Sequence, residues 1–301
     1  MRTGTTRTAA ALAALLAAGA ARAQSLALKP ELAVYHDAKE APLKAPEGVA
    51  CREDGAVLVA DTGNGRLLRY TWKDGLLSAA TELKVAGVAA PSDVQLDPSG
   101  AGFLVLDRKE KRIARVDAAG ALAGWLDPKG MTRGSVVPAS FAAGADGAVA
   151  ILDVAGSVVL VVERDGAIRR KLPLPREGGA VFTAVALGAT GTVYAVDAVA
   201  ARVWAAPRDA QALKPFTEPL KGYMNFPAHL AATPRGLVVV DQNGGGLVVI
   251  GQDGAYLGRQ LSMGWSPGFV YYPGQICTTA AGDVFVADRG NNRVQIFSAA
   301  R

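Results

Sequence analysis

Residues Tyr272–Phe297 read YPGQICTTAAGDVFVADRGNNRVQIF, and nearly the same order of residue types stands near the other end of the chain, in Pro46–Tyr70, PEGVACREDGAVLVADTGNGRLLRY. Each copy passes from a proline into a short apolar run, an Asp-Gly or Gly-Asp turn, a β-branched run closing on Ala-Asp, a Gly/Asn turn, and another apolar run that opens with arginine. Short apolar runs separated by such turn formers are antiparallel strands. The strand-ending aspartate recurs at Asp61, Asp107, Asp153, Asp197, Asp241 and Asp288, spaced 46, 46, 44, 44 and 47 residues apart. A period in the mid-forties accommodates four short strands, so the sequence predicts an all-β, six-bladed β-propeller.

The start of each unit repeats as well, at Pro46, Pro91, Pro138, Phe182, Pro227 and Pro273. Three residues further on stand Val49, Val94, Phe141, Val185, Leu230 and Ile276, and the next position is small at Ala50, Ala142, Ala186 and Ala231. Large residues on one face of an inner strand and small ones on the other let neighbouring blades approach closely. Outer strands are expected at 77–83, 121–126, 167–172, 211–216 and 255–261, but the sixth unit ends without one. An open edge invites aggregation. Leu32–His36, upstream of the first unit, is expected to supply the missing strand by pairing with Arg293–Phe297.

The motifs at Pro46–Tyr70 and Val284–Phe297 (VFVADRGNNRVQIF) resemble NHL repeats, with four degenerate copies between them in register. The resemblance implies a six-bladed propeller over the whole chain after its leader. It says little about chemistry, since such propellers include RNA-binding modules, sensors, scaffolds and a lyase.

Residues 1–23 carry Arg2 and Arg7, an Ala/Leu/Gly run and Ala21-Arg22-Ala23, which reads as a secretory signal peptide cleaved before Gln24. Residues 24–301 are then expected as one domain, periplasmic or extracellular. Loss of three leader arginines lowers the formal charge from +5 to +2, so the basic composition is no argument for nucleic acid. The apolar stretch Gly147–Val162 is interrupted by Asp153 and reads as two strands rather than a membrane span.

Arginine follows the repeated aspartate by five residues in four units, suggesting the turn pairs Asp61–Arg66, Asp107–Arg112, Asp197–Arg202 and Asp288–Arg293; units three and five carry Val158 and Gly246 instead. Equivalent residues around a ring diverge, so these pairs read as structural. Two residues after the leading prolines the chain passes the mouth of the central channel, where Gly48, Asp93, Ser140, Ala184, His229 and Gln275 form a ring. By resemblance this is where peptidyl-hydroxyglycine lyases hold zinc and lactonase-type propellers hold calcium. One histidine and one aspartate are too few ligands for either, and no cofactor is expected. A second candidate surface is aromatic: Tyr223, Phe226, Trp265, Phe269, Tyr271 and Tyr272, with Met224 and Met263, lie on the two loops leading into units five and six. They form either a contact patch or filling between blades. Arg108, Lys109, Lys111 and Arg133 form a basic sector near unit two.

Cys51 and Cys277 stand five and four residues after their leading prolines, so they point to opposite faces of their sheets. Both face the shared junction of units six and one, or both turn away. Two cysteines in an oxidising compartment favour a disulfide. Together these features suggest an exported, noncatalytic binding or scaffolding module for an envelope protein or a small ligand. The alternative is a metal-assisted lyase or lactonase using His229 and Asp93 at the channel mouth.

Overall fold

A computed structural model of the chain describes residues 27–97 and 100–299. The leader expected at 1–23 lies outside the described residues. Six antiparallel sheets follow one another around a ring. Blade three shows the regular pattern, running from its inner strand Pro138–Ala143 through Val149–Asp153 and Val158–Val162 to Ile168–Pro173. The Gly147–Val162 stretch thus forms two buried strands, and no described helix is long and apolar enough to cross a membrane. Outer strands vary most: blade four has only Lys214–Pro215, and blade one has two pieces, Leu76–Leu77 and Thr81–Leu83, both paired with Arg66–Lys73.

Blade six is completed from the other end of the chain, since Leu28–Val34 pairs antiparallel with Arg293–Ala299 and covers its edge. The strand begins upstream of the stretch expected and stops at Val34, with Leu32 opposite Ile296 and Val34 opposite Val294. Beyond it Tyr35 turns its hydroxyl to Arg293, and His36 makes only an isolated bridge to Pro42.

Each of the six blade junctions has its own apolar cluster. Val49, Val94, Phe141, Val185, Leu230 and Ile276 are all buried, and each packs toward the preceding blade. The next residue on the inner strand faces forward, as Ala50 and Ala186 do. This alternation chooses between the two cysteine arrangements. Cys277 occupies the forward-facing position of blade six and Cys51 a backward-facing position of blade one. They meet at the junction as a disulfide with Cα atoms 5.7 Å apart. It closes a loop spanning a sequence separation of 226 residues, at the junction that the closing strand also secures.

Candidate functional site

The repeated aspartates build the face on which the channel opens. Each is buried and accepts a backbone N–H one or two residues before its own blade's leading residue: Asp61 from Lys44 (2.7 Å), Asp107 from Ala89 (2.6 Å), Asp153 from Val137 (2.9 Å), Asp197 from Val181 (3.0 Å), Asp241 from Phe226 (2.8 Å) and Asp288 from Tyr271 (2.7 Å). The carboxylate therefore ties the end of the second strand to the segment that starts the first. In blades one and six the arginine five residues on completes the arrangement, with Arg66 Nε donating to Asp61 at 2.7 Å and Arg293 Nε to Asp288 at 2.6 Å.

The expected pairs Asp107–Arg112 and Asp197–Arg202 are not formed. Arg112 instead pairs with Asp127 at 2.5 Å and covers the Trp125 ring, while Arg202 lies over Trp204 and 4.0 Å from Glu218. In both blades the connection beyond the third strand brings a carboxylate that competes for the guanidinium. Blade five supplies its cation by another route. Gly246 leaves the space that Arg259, from the outer strand, crosses to reach Asp241 at 2.7 Å, and a Cβ at Gly246 would lie 2.9 Å from that guanidinium. Blade three, with Val158, has no substitute, and Asp153 Oδ2 has no hydrogen-bond partner among the described residues.

Inside this face three of the ring residues, Gln275, Asp93 and Ser140, reach forward and stitch blade to blade. Gln275 Oε1 accepts from the backbone of both Val49 and Val94 at 3.1 Å, while its Nε2 donates to the Val94 carbonyl at 2.8 Å. Gln275 can span two blades because position 48 is glycine, where a Cβ would meet Ser92 O at 2.5 Å and Gln275 Oε1 at 3.0 Å. Asp93 Oδ2 accepts a long hydrogen bond from Phe141 N (3.4 Å), and Ser140 Oγ one from Val185 N (3.5 Å). Asp93, Ser140, His229 and Gln275 all line one cavity of about 380 Å³, within the ~300–1,000 Å³ range of small-molecule sites.

Two of these side chains are only partly used by the fold. Asp93 and His229 are more than nine-tenths buried, yet Asp93 Oδ1 and His229 Nδ1 have no hydrogen-bond partner among the described residues. Leaving a buried polar atom unpaired costs about 1–3 kcal/mol. Blades two and five lie opposite each other in a six-membered ring, so Asp93 and His229 come to the cavity from opposite blades. Burial pushes the Asp93 carboxyl up to about 7 against the lowering pull of hydrogen bonds from Phe141 N and the Gln95, Ser140 and Gln275 side chains, and burial pushes the His229 imidazole down to about 4. Both are held toward their uncharged forms.

The rim was only partly legible in sequence: Arg108 and Lys111 belong to the expected basic sector near unit two, whereas Glu47 and Arg289 carry no local signal. Glu47, one residue before Gly48, accepts from Arg108 and lies 3.1 Å from Arg289 Nε, so turns of blades two and six converge on one carboxylate. Lys111 also lines the opening. Among the described residues no three His, Cys, Asp or Glu side chains converge to hold a metal ion. At the mouth Glu47 is engaged by two arginines, leaving Asp93 and His229 on opposite blades, a donor set that does not fit bound zinc or calcium.

The aromatic residues gather outside the cavity. Trp265, Tyr271 and Tyr272 form one group, with ring centroids 5.7 Å apart for Trp265–Tyr271 and 4.6 Å for Tyr271–Tyr272; Trp265 is 74% exposed. Tyr223 stacks on Tyr256 at 4.0 Å, Phe226 is half-buried, and Met224 is buried in the junction of blades four and five. The loops therefore do both things at once: some rings fill and others face solvent.

The two buried groups give opposite pH dependences. Asp93 binds its proton more tightly folded than unfolded, so its contribution to stability falls as pH rises from about 4 to about 7. His229 is protonated more readily in the unfolded chain, so its contribution rises from about pH 4 to its ordinary 6.5. In the intact protein these slopes offset. Asp93→Asn is expected to unmask the histidine, giving stability that climbs over this interval relative to wild type. His229→Leu is expected to unmask the carboxyl and give the opposite slope, each on the order of 3–4 kcal/mol. Urea unfolding at a series of pH values checks this; parallel profiles for both variants and wild type would contradict it.

An NHL repeat model matches residues 270–297, which span three of the four strands of blade six and the approach to them. No curated protein matches the sequence. Among solved structures the chain is similar to virginiamycin B lyase from Staphylococcus aureus, with 12% identity, 91% of this chain and 99% of that chain covered, and a TM-score of 0.64. It is also similar to a gluconolactonase from Xanthomonas campestris, with 17% identity, 91% and 89% coverage, and a TM-score of 0.65. A chain of a nidogen/laminin complex matches at 17% identity, 73% and 81% coverage, and a TM-score of 0.57. At such identities the likeness concerns the fold. The chain thus carries an NHL repeat in its last blade and folds as a six-bladed β-propeller.

Proposed function

We propose that this propeller is an exported binding module whose channel mouth takes a small ligand. The observation that carries this reading is the cavity of about 380 Å³ itself, lined by Asp93, Ser140, His229 and Gln275 beneath a rim of Arg108, Lys111 and Arg289. The exposed Trp265–Tyr271–Tyr272 group on the surrounding loops offers a separate contact for an envelope protein. Export is supported by the leader-like residues 1–23, and the Cys51–Cys277 disulfide suits an oxidising compartment.

One observation favours catalysis as a second reading: a carboxyl held near 7 in a cleft is suited to proton transfer at neutral pH. Virginiamycin B lyase and the gluconolactonase show that this architecture hosts enzymes. Here Asp93 and His229 come from opposite blades, which suits holding a molecule between them.

The experiment is thermal unfolding of protein exported behind its own leader, screened against a library of small polar metabolites. Saturation at 100 times Kd is expected to stabilise by about 2.7 kcal/mol. No shift with any compound would contradict the ligand site. Turnover of a lactone or other bound ester, lost in Asp93→Asn, would favour the enzyme. A mature mass retaining Met1–Ala23, or two free thiols, would contradict export.

A further inference from the structure

Resting on the reading of the mouth as a ligand site, we propose that the molecule it takes is a small oxyanion, a carboxylate or phosphate monoester carried on a hydrogen-bonding body, held at the rim by Arg108 and Arg289. The charged groups lining the cavity are Arg108, Lys111 and Arg289 against Glu47 and Asp93, with the imidazole of His229 beyond them. Three cations face two carboxylates. The opening is therefore positive with Asp93 ionised and more so with Asp93 protonated, so the sign of the site does not depend on that group. A concave opening with an excess of one sign of charge concentrates ligands of the other.

The rim is also organised for an acceptor. Glu47 lies only about 10% exposed between two arginines that come from turns on different blades, bonded to Arg108 and 3.1 Å from Arg289. Each guanidinium carries five N–H donors in a fixed fork, whereas one carboxylate has two oxygens. Glu47 can orient both forks but cannot occupy them, and Lys111 adds an exposed ammonium that makes no ion pair among the described residues. Arginine forks match carboxylate and phosphate oxygens. Beneath the rim, the cavity lined by Asp93, Ser140, His229 and Gln275 takes the uncharged body of the same ligand. A cationic ligand would face the three basic groups, and a neutral one would leave the forks unused.

The test is calorimetric titration of the full exported protein with four sugars built on one hexose: galacturonate, galactose 6-phosphate, galactose and galactosamine. One or both anions are expected to bind, more weakly as salt rises, and to lose about tenfold or more in affinity in Arg108→Gln and in Arg289→Gln. Binding of galacturonate alone, or of the phosphate alone, would identify which oxyanion is meant. Galactose or galactosamine binding as tightly as the anions would overturn the oxyanion assignment while leaving the ligand site standing. Anion binding unchanged in both variants would place it elsewhere and overturn the assignment. No binding by any of the four overturns the oxyanion proposal; the ligand site falls with it only if the metabolite screen is also without a shift.

Discussion

Removing residues 24–36 from the exported chain is expected to lower the melting temperature by about 10–20 °C rather than to trim a tail. Leu28–Val34 is the fourth strand of blade six, and six of its residues stand in register opposite Arg293–Ala299. Its loss strips ladder bonds worth about 1 kcal/mol each, opens the edge of the last strand, and uncovers apolar packing at Leu28 and Val34. A loss on the order of 5 kcal/mol corresponds to that fall in a domain of this size. The Cys51–Cys277 bond still ties blade one to blade six in the truncated chain, and by loop-closure entropy contributes on the order of 5 kcal/mol itself. Reductant is therefore expected to harm the truncated protein more than the intact one, since it removes the second of two latches at one junction. Thermal unfolding of both chains with and without reductant checks this. Equal melting temperatures for intact and truncated protein would contradict closure by this strand.

Arg293→Ala is expected to cost about 3–5 kcal/mol, the penalty for leaving a buried charge without its partner. Arg293 is fully buried. Its Nε holds Asp288 at 2.6 Å, Nη1 donates to the Tyr35 hydroxyl at 2.7 Å, and Nη2 donates to the carbonyls of Ser266 (2.9 Å) and Phe269 (2.8 Å). One side chain thus joins the last blade, the closing segment and the aromatic loop. Arg202, at the equivalent position of blade four, is the control: with its carboxylate 4.0 Å away and nearly all exposed, Arg202→Ala is expected to cost less than about 1 kcal/mol. Chemical denaturation of the two variants decides the matter, and similar losses would show that the repeat position, not the buried network, sets the energy.

These contrasts mark where the sequence stops being legible. The period of the aspartates and the large-then-small order at Val49-Ala50 or Val185-Ala186 specify blades, because strand alternation carries them directly. The ring at Asp93, Ser140, His229 and Gln275 follows from the same register. The partners of Arg112 and Arg202 do not, because they depend on where the chain returns beyond the third strand. The route of Arg259 to Asp241 was signalled only by the missing side chain at Gly246. Glu47 and Arg289 meet across the junction of blades one and six, so nothing local in either segment announces the rim. The cysteine question needed one fact absent from the alternation, namely which face of an inner strand looks back.

The mouth cavity is proposed as a ligand site in which His229 is not a support of the fold, whereas Asp93 also ties blade two to blade three through Phe141 N. The most direct measurement is equilibrium unfolding of His229→Leu at pH 7, with the calorimetric titration repeated on the same variant. Replacing a buried, unpartnered imidazole by an apolar side chain is expected to leave stability unchanged or raise it by about 1–2 kcal/mol, while weakening ligand binding about tenfold or more. A loss of more than about 2 kcal/mol with binding retained would contradict the claim and make His229 a structural residue of the propeller.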